Sequence, residues 1–109
     1  MVKNIKPELL IEIDLDSTNF QSRWNKLDYE DQKKAVNTFS KITQLTWSQL
    51  YKDSGLKWEK IISAKPPVGI DTLYSFRITK SIRGLGYRDK NILRVLIIHT
   101  EHDAAYGKK

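Results

Sequence analysis

Apolar and polar residues alternate in three short runs between Leu73 and Tyr106, joined by tight connections, and this pattern predicts an antiparallel meander. In the first run Tyr74, Phe76 and Ile78 share one face, and Ser75, Arg77 and Thr79 share the other. Lys80-Ser81 makes the first turn. The second run sets Leu85 and Tyr87 on one side with Gly84 and Gly86 opposite, and Asp89-Lys90-Asn91 turns the chain into Ile92 to His99. That last run is apolar on both faces, Leu93, Val95 and Ile97 against Ile92, Leu96 and Ile98. It predicts a central strand covered on both sides.

Upstream, Leu9, Ile11, Ile13 and Leu15 alternate with Leu10, Glu12, Asp14 and Asp16, the pattern of a half-buried strand with an acidic outer face. Ser17-Thr18-Asn19 offers helix caps before Phe20, Trp24 and Leu27, which recur at helical spacing. Asp28 is a second cap, followed by Glu30 and Asp31 in a first turn. Ala35, Val36, Phe39 and Ile42 make the buried stripe of that helix, and Trp47, Leu50 and Tyr51 continue the period until Gly55. Leu56 to Ile62 reads as a strand or a loop entering one, and Lys65-Pro66-Pro67-Val68-Gly69 reads as a loop. The expected fold is α+β in one domain, residues 1–109: an N-terminal strand, then one or two helices between residues 19 and 54, packed on one face of an antiparallel sheet through residues 73–99. Val36, Phe39, Ile42, Trp47, Leu50, Tyr74, Phe76, Ile78, Leu85, Val95 and Ile97 are the expected core.

Charge changes this picture more than composition does. The net charge is +6, but residues 1–31 hold four Lys/Arg against seven Asp/Glu, whereas residues 74–109 hold eight against three. A polarised surface of this kind attracts polyanions through counterion release and long-range steering. The chain has no cysteine, which excludes disulfides, thiolate metal sites and a cysteine nucleophile. No apolar run reaches the length of a membrane span and no secretory signal is visible, so the expectation is a soluble cytoplasmic protein.

Phosphate-binding glycine motifs are missing, and Gly84-Leu85-Gly86 lies inside a strand pattern. Two readings of those glycines stand: a side-chain-free trough beside Arg77, fit for a phosphate backbone, or a bulge or close packing. Arg77, Arg83, Arg88 and Arg94 thread the meander as a basic strip, and arginine's planar fork suits bidentate phosphate contact. His99, Glu101, His102 and Asp103 crowd five positions, which reads as a polar strand end; no metal and no cofactor are expected. His102 and Tyr106 are four apart and share a face if the tail makes a helical turn, where they suit a general-acid step. An ordinary C-terminal turn is the other reading. Trp47 and Trp58 read as core rather than as stacking platforms.

Residues 74–106 resemble the C-terminal half of the RelE/ParE superfamily of small bacterial toxins, including its YoeB-like and HigB-like branches. The residues that carry the resemblance are Tyr74-Ser75-Phe76-Arg77-Ile78, Arg83-Gly84-Leu85-Gly86-Tyr87, Leu93 to Ile98, and His102 with Tyr106. It implies helices on one face of a curved sheet, with the concave face binding mRNA in the ribosomal A site. It also implies metal-independent cleavage, in which a base activates the ribose 2′-OH to attack the adjacent phosphate. Arg77 and Arg83 then stabilise the phosphate charge, and His102 or Tyr106 protonates the leaving oxygen. Among Lys57, Glu59 and Lys60, Glu59 is the choice for the base; Lys57, Lys60, Arg88 and Arg94 would hold RNA. The implied role is the toxin of a type II toxin–antitoxin pair, with a cognate antitoxin, mRNA and the ribosome as partners and no membrane. The alternatives are a ParE-like module that binds a protein target such as DNA gyrase, or a non-toxic RNA-binding relative.

Overall fold

The computed structural model of the chain describes residues 7–62 and 65–100, and local capping chemistry sets its helices. The Ser17 hydroxyl accepts the Phe20 N–H and opens α1 (Thr18–Trp24). Asp28 accepts the Asp31 N–H at 2.8 Å and opens α2 (Tyr29–Ile42). Thr46 and Gln49 exchange side-chain and backbone hydrogen bonds in a capping box that opens α3 (Trp47–Lys52). The expected one or two helices are therefore three, because each cap restarts the helix. Asp53 ends α3: its carboxylate accepts the N–H groups of Gly55 and Leu56 at 2.9 and 3.0 Å. Gly55 is not left-handed, so the aspartate side chain, not the glycine, makes the stop.

The strands are β1 (Glu12–Asp14), β2 (Glu59–Ile61), β3 (Leu73–Arg77), β4 (Ile82–Asp89) and β5 (Ile92–Thr100), in one sheet ordered β1-β5-β4-β3-β2. β1 runs parallel to β5, and the other neighbours are antiparallel. The architecture is α+β, as the periodicity indicates. The first strand is shorter than its alternation suggests. Leu10 already bridges to Thr46 and the Ile11 N–H donates to the Leu45 carbonyl, so the chain before Glu12 is held by the segment linking α2 and α3.

One face of the sheet carries Phe76, Ile78, Ile82, Leu93, Val95 and Ile98, which pack with Phe20, Ala35, Phe39, Ile42, Trp47 and Leu50 of the helices. Four expected core positions differ. Val36 is 53% exposed, because Ala35, Phe39 and Ile42 follow the helical period and Val36 lies a hundred degrees round from Ala35. Tyr74, Leu85 and Ile97 are half-buried. For Ile97 the cause is a bulge: Leu85 pairs with Ile97 but Gly86 pairs with Val95, leaving Leu96 as an extra residue in β5. Beyond it the alternation reverses, so Ile98 enters the core and Ile97 turns to the other face. The Leu96 carbonyl accepts the Ser17 hydroxyl at 2.7 Å, which fastens the start of α1 to the bulge.

β5 is an interior strand, but it is not covered on both sides, since Ile92, Ile97 and His99 on its second face remain half-exposed. The glycines settle the other way from the trough reading. Gly84 pairs with Phe76 on the helix-covered face, where a Cβ would come within 2.3 Å of the phenyl ring. A Cβ on Gly86 would come within 2.2 Å of the Arg94 carbonyl oxygen, beside the bulge. Both are therefore packing glycines, on the side of the sheet away from Arg77. Among the described residues no helix is long and apolar enough to cross a membrane.

Candidate functional site

The open face of the sheet is fixed by strand parity. Arg77 on β3 pairs with Arg83 on β4, and Arg83 pairs in turn with His99 on β5. These three residues form a row across three strands, with directly opposed Cβ atoms about 4.5–5.5 Å apart. The next row on the same face is Glu59, Ser75, Leu85 and Ile97. Glu59 is thus a diagonal neighbour of Arg77, at about 7–8 Å.

Hydrogen bonding distinguishes the two arginines. Arg83 donates through Nη1 to the Ser75 hydroxyl at 3.3 Å, which draws it toward the second row. The Arg77 guanidinium has no hydrogen bond or ion pair with any described residue, although its backbone N–H donates to the Leu56 carbonyl at 2.7 Å. That bond sets Lys57 beside Arg77 at the approach to β2, with Lys57 itself at a φ of 47°. A half-buried guanidinium and an exposed one, side by side, concentrate positive charge where the described carboxylate nearest in register is Glu59.

The basic strip that the sequence suggests is divided by the fold. Arg88 points to the helix side, with its guanidinium 4.9 Å from the centre of the Trp47 ring and donating to the Tyr51 hydroxyl at 3.0 Å. Lys60 pairs with Tyr74, so it too alternates away from the open face. Arg94 does stand on the open face, but its Nη1 donates to Asp14 at 2.8 Å and its Nε to Asp89 at 2.9 Å. That hydrogen bond from Arg94 holds the Asp14 carboxyl below the usual carboxylate range, and Asp14 in turn raises Arg94. Arg94 serves as a clasp between β1 and the β4–β5 turn. His102 and Tyr106 lie outside the described residues.

His99, which the sequence offers only as part of a polar strand end, is the third member of the row. Unbroken alternation puts it on the same side as Leu93, Val95 and Ile97, under the helices. The bulge at Leu96 reverses that parity and delivers the imidazole to the face that carries Arg83. The two glycines of Gly84-Leu85-Gly86 opposite were the available signal, since glycines inside a strand commonly mark a bulge. Among the described residues no group of three or more His, Cys, Asp or Glu is placed to hold a metal ion.

A concavity of about 640 Å³ opens where β4 runs on past the start of β3. Tyr51, Trp58, Tyr74 and Tyr87 supply its rings, and the segment Gly69 to Thr72 with Arg88 and Asp89 completes its lining. Trp58 is half-buried rather than core. Its ring stacks on Tyr74 at 4.7 Å and 12°, and meets Trp47 edge-on at 5.2 Å.

No protein-family model matches the chain, and no curated protein matches it. Among solved structures it is similar to a copper-bound mutant toxin from Helicobacter pylori, at 13% identity and a TM-score of 0.48, over 87% of this chain and 97% of that one. A likeness this loose carries no function across.

Proposed function

We propose that the chain is the toxin of a type II toxin–antitoxin pair and acts as a ribosome-dependent mRNA endoribonuclease. The observation that carries this reading is the pair Arg77 and Arg83, opposed on an otherwise open sheet face, with Glu59 to one side and His99 to the other. The resemblance of residues 74–106 to the RelE/ParE superfamily supports it from the sequence side.

The chemistry follows from what each group offers. Glu59 takes the proton of a ribose 2′-OH, whose oxygen attacks the adjacent phosphorus; the bond to the 5′-oxygen breaks, leaving a 2′,3′-cyclic phosphate. Two guanidiniums opposed across β3 and β4 stabilise the extra negative charge on the phosphoryl oxygens, the kind of term from which such sites gain most of their rate. Proton return to the leaving 5′-oxygen falls to His99, or to His102 or Tyr106 of the tail. Glu59 and His99 stand three strand spacings apart, on the order of 14 Å between backbones, which leaves room for a phosphodiester above the arginines. Lys57, next to Arg77, extends the phosphate track. An antitoxin that masks this face is the partner the reading requires.

The test is brief induction in a bacterial host followed by mapping of mRNA 5′ ends. Growth arrest with new ends inside coding regions is expected for wild type. Arg77→Ala, shown to be folded by circular dichroism, should lose at least about a hundredfold in cleavage. Arrest with DNA damage and intact mRNA would replace the nuclease with the gyrase-binding alternative, and neither effect would leave a non-toxic RNA-binding relative.

A further inference from the structure

We propose that the cavity between Tyr51, Trp58, Tyr74 and Tyr87 is a nucleobase site with a preference for guanine. It is separate from the arginine row. It rests on the RNA reading only for why a base would arrive there.

Three features of the cavity define its ligand. Its walls are aromatic, and a flat ring gains from stacking on such walls whatever its sequence identity. Its charged lining groups are already engaged, with one exception. Arg88 is held by Tyr51, by the Lys90 carbonyl and over Trp47, and Asp89 is held by Arg94. Asp71, also in the lining, makes no hydrogen bond or ion pair with any described residue. A carboxylate with no cationic partner beside aromatic walls suits a flat ligand that brings N–H donors. Guanine alone among the four bases presents two adjacent N–H donors, from N1 and N2, to match the two carboxylate oxygens. Adenine and cytosine bring one amino group each, and uracil a single imino N–H.

One lining residue, Tyr87, lies by strand parity on the open face. Arg83, Leu85 and Tyr87 alternate along one side of β4, and four residues of strand cover about 13 Å. A short stretch of single-stranded RNA lying along that line sets a phosphate over Arg77 and Arg83 and a base near Tyr87. The same recognition chemistry is offered by a free guanine nucleotide.

The experiment is tryptophan fluorescence titration of the full chain with guanosine, adenosine, cytidine and uridine, with ribose 5-phosphate as control. Guanosine should quench and saturate at the lowest concentration, and ribose 5-phosphate should not quench. Trp58→Phe should abolish the signal while calorimetry still detects binding. Asp71→Asn, an exposed loop change, should weaken guanosine about tenfold or more and leave adenosine nearly unchanged. An oligoribonucleotide with one guanine binding more tightly than guanosine identifies an RNA chain as the source, and equal binding identifies the free nucleoside. Four indistinguishable nucleosides, quenching by ribose 5-phosphate, or an unchanged Asp71→Asn overturns the proposal. Guanosine binding without RNA cleavage sinks the nuclease reading alone, and cleavage without guanosine binding sinks the pocket alone.

Discussion

Arg77 on β3 stands directly opposite Arg83 on β4, and both rise from the same open face of the sheet. Like charges directly opposed in an antiparallel pair destabilise it, and the described partner of their guanidiniums is a single serine hydroxyl. The fold therefore retains a repulsion that an anion would relieve. Arg77→Ala should raise stability at low salt by a few tenths of a kcal/mol, while the slope of log affinity for single-stranded RNA against log salt falls by about 0.7. Thermal denaturation and a salt titration of RNA binding read both effects. A folded variant with the wild-type slope would make the arginine row ordinary surface.

Arg88 should behave in the opposite way. Its guanidinium lies over Trp47 and donates to Tyr51, on the helix side. Arg88→Ala should cost about 1 kcal/mol of stability through the lost stacking and hydrogen bond, and leave the salt slope of RNA binding unchanged. Denaturant unfolding beside the same binding titration separates it from Arg77.

The two strand glycines should differ in tolerance. At Gly84 a methyl group meets the ring of Phe76, a fully buried side chain, whereas at Gly86 it meets backbone, the Arg94 carbonyl. Gly84→Ala should destabilise by about 1–3 kcal/mol, as overpacked cores do, and Gly86→Ala by more, or abolish folding. Chemical unfolding of both variants is the measurement, and equal effects would contradict the bulge geometry.

Acid should weaken the clasp at the sheet edge. Arg94 holds the Asp14 carboxyl below its ordinary value, and Lys41, 3.0 Å away, does the same for Asp53. A carboxylate whose pKa is depressed by folding adds stability that is present above the unfolded value of about 4 and is lost as pH falls through the folded value. Stability should therefore decline below about pH 4. Asp14→Asn should flatten that decline and cost no more than about 1 kcal/mol at neutral pH, because the pair is partly solvated. Urea unfolding at stepped pH checks the sign.

The sequence by itself determined what is local. Ser17 and Asp28 start helices because their side chains satisfy the N–H groups of the next turn, and that chemistry is written within three residues. The alternation of Tyr74, Phe76 and Ile78 against Ser75, Arg77 and Thr79 set the faces of β3, whereas the face of β4 was not legible: Leu85, an expected core residue, stands with Arg83 on the open face. The acidic excess of residues 1–31 and the basic excess after them were legible for the same reason, as charge is read one residue at a time.

Tertiary structure alone decided the phase beyond Leu96. Ile97 and Ile98 are equivalent to any hydrophobic pattern, so nothing local says which enters the core. The choice is made by Gly86, which lets the Arg94 carbonyl come too close for any Cβ, and by Ser17, which bonds the carbonyl of the extra residue. A single added residue then turns His99 from the helices to the arginine row. The division of the arginines was hidden in the same way: Arg88 and Arg94 look alike in the chain, and only packing hands one to Trp47 and the other to Asp14 and Asp89. Partners distant in sequence meet through the fold, and no spacing rule encodes them.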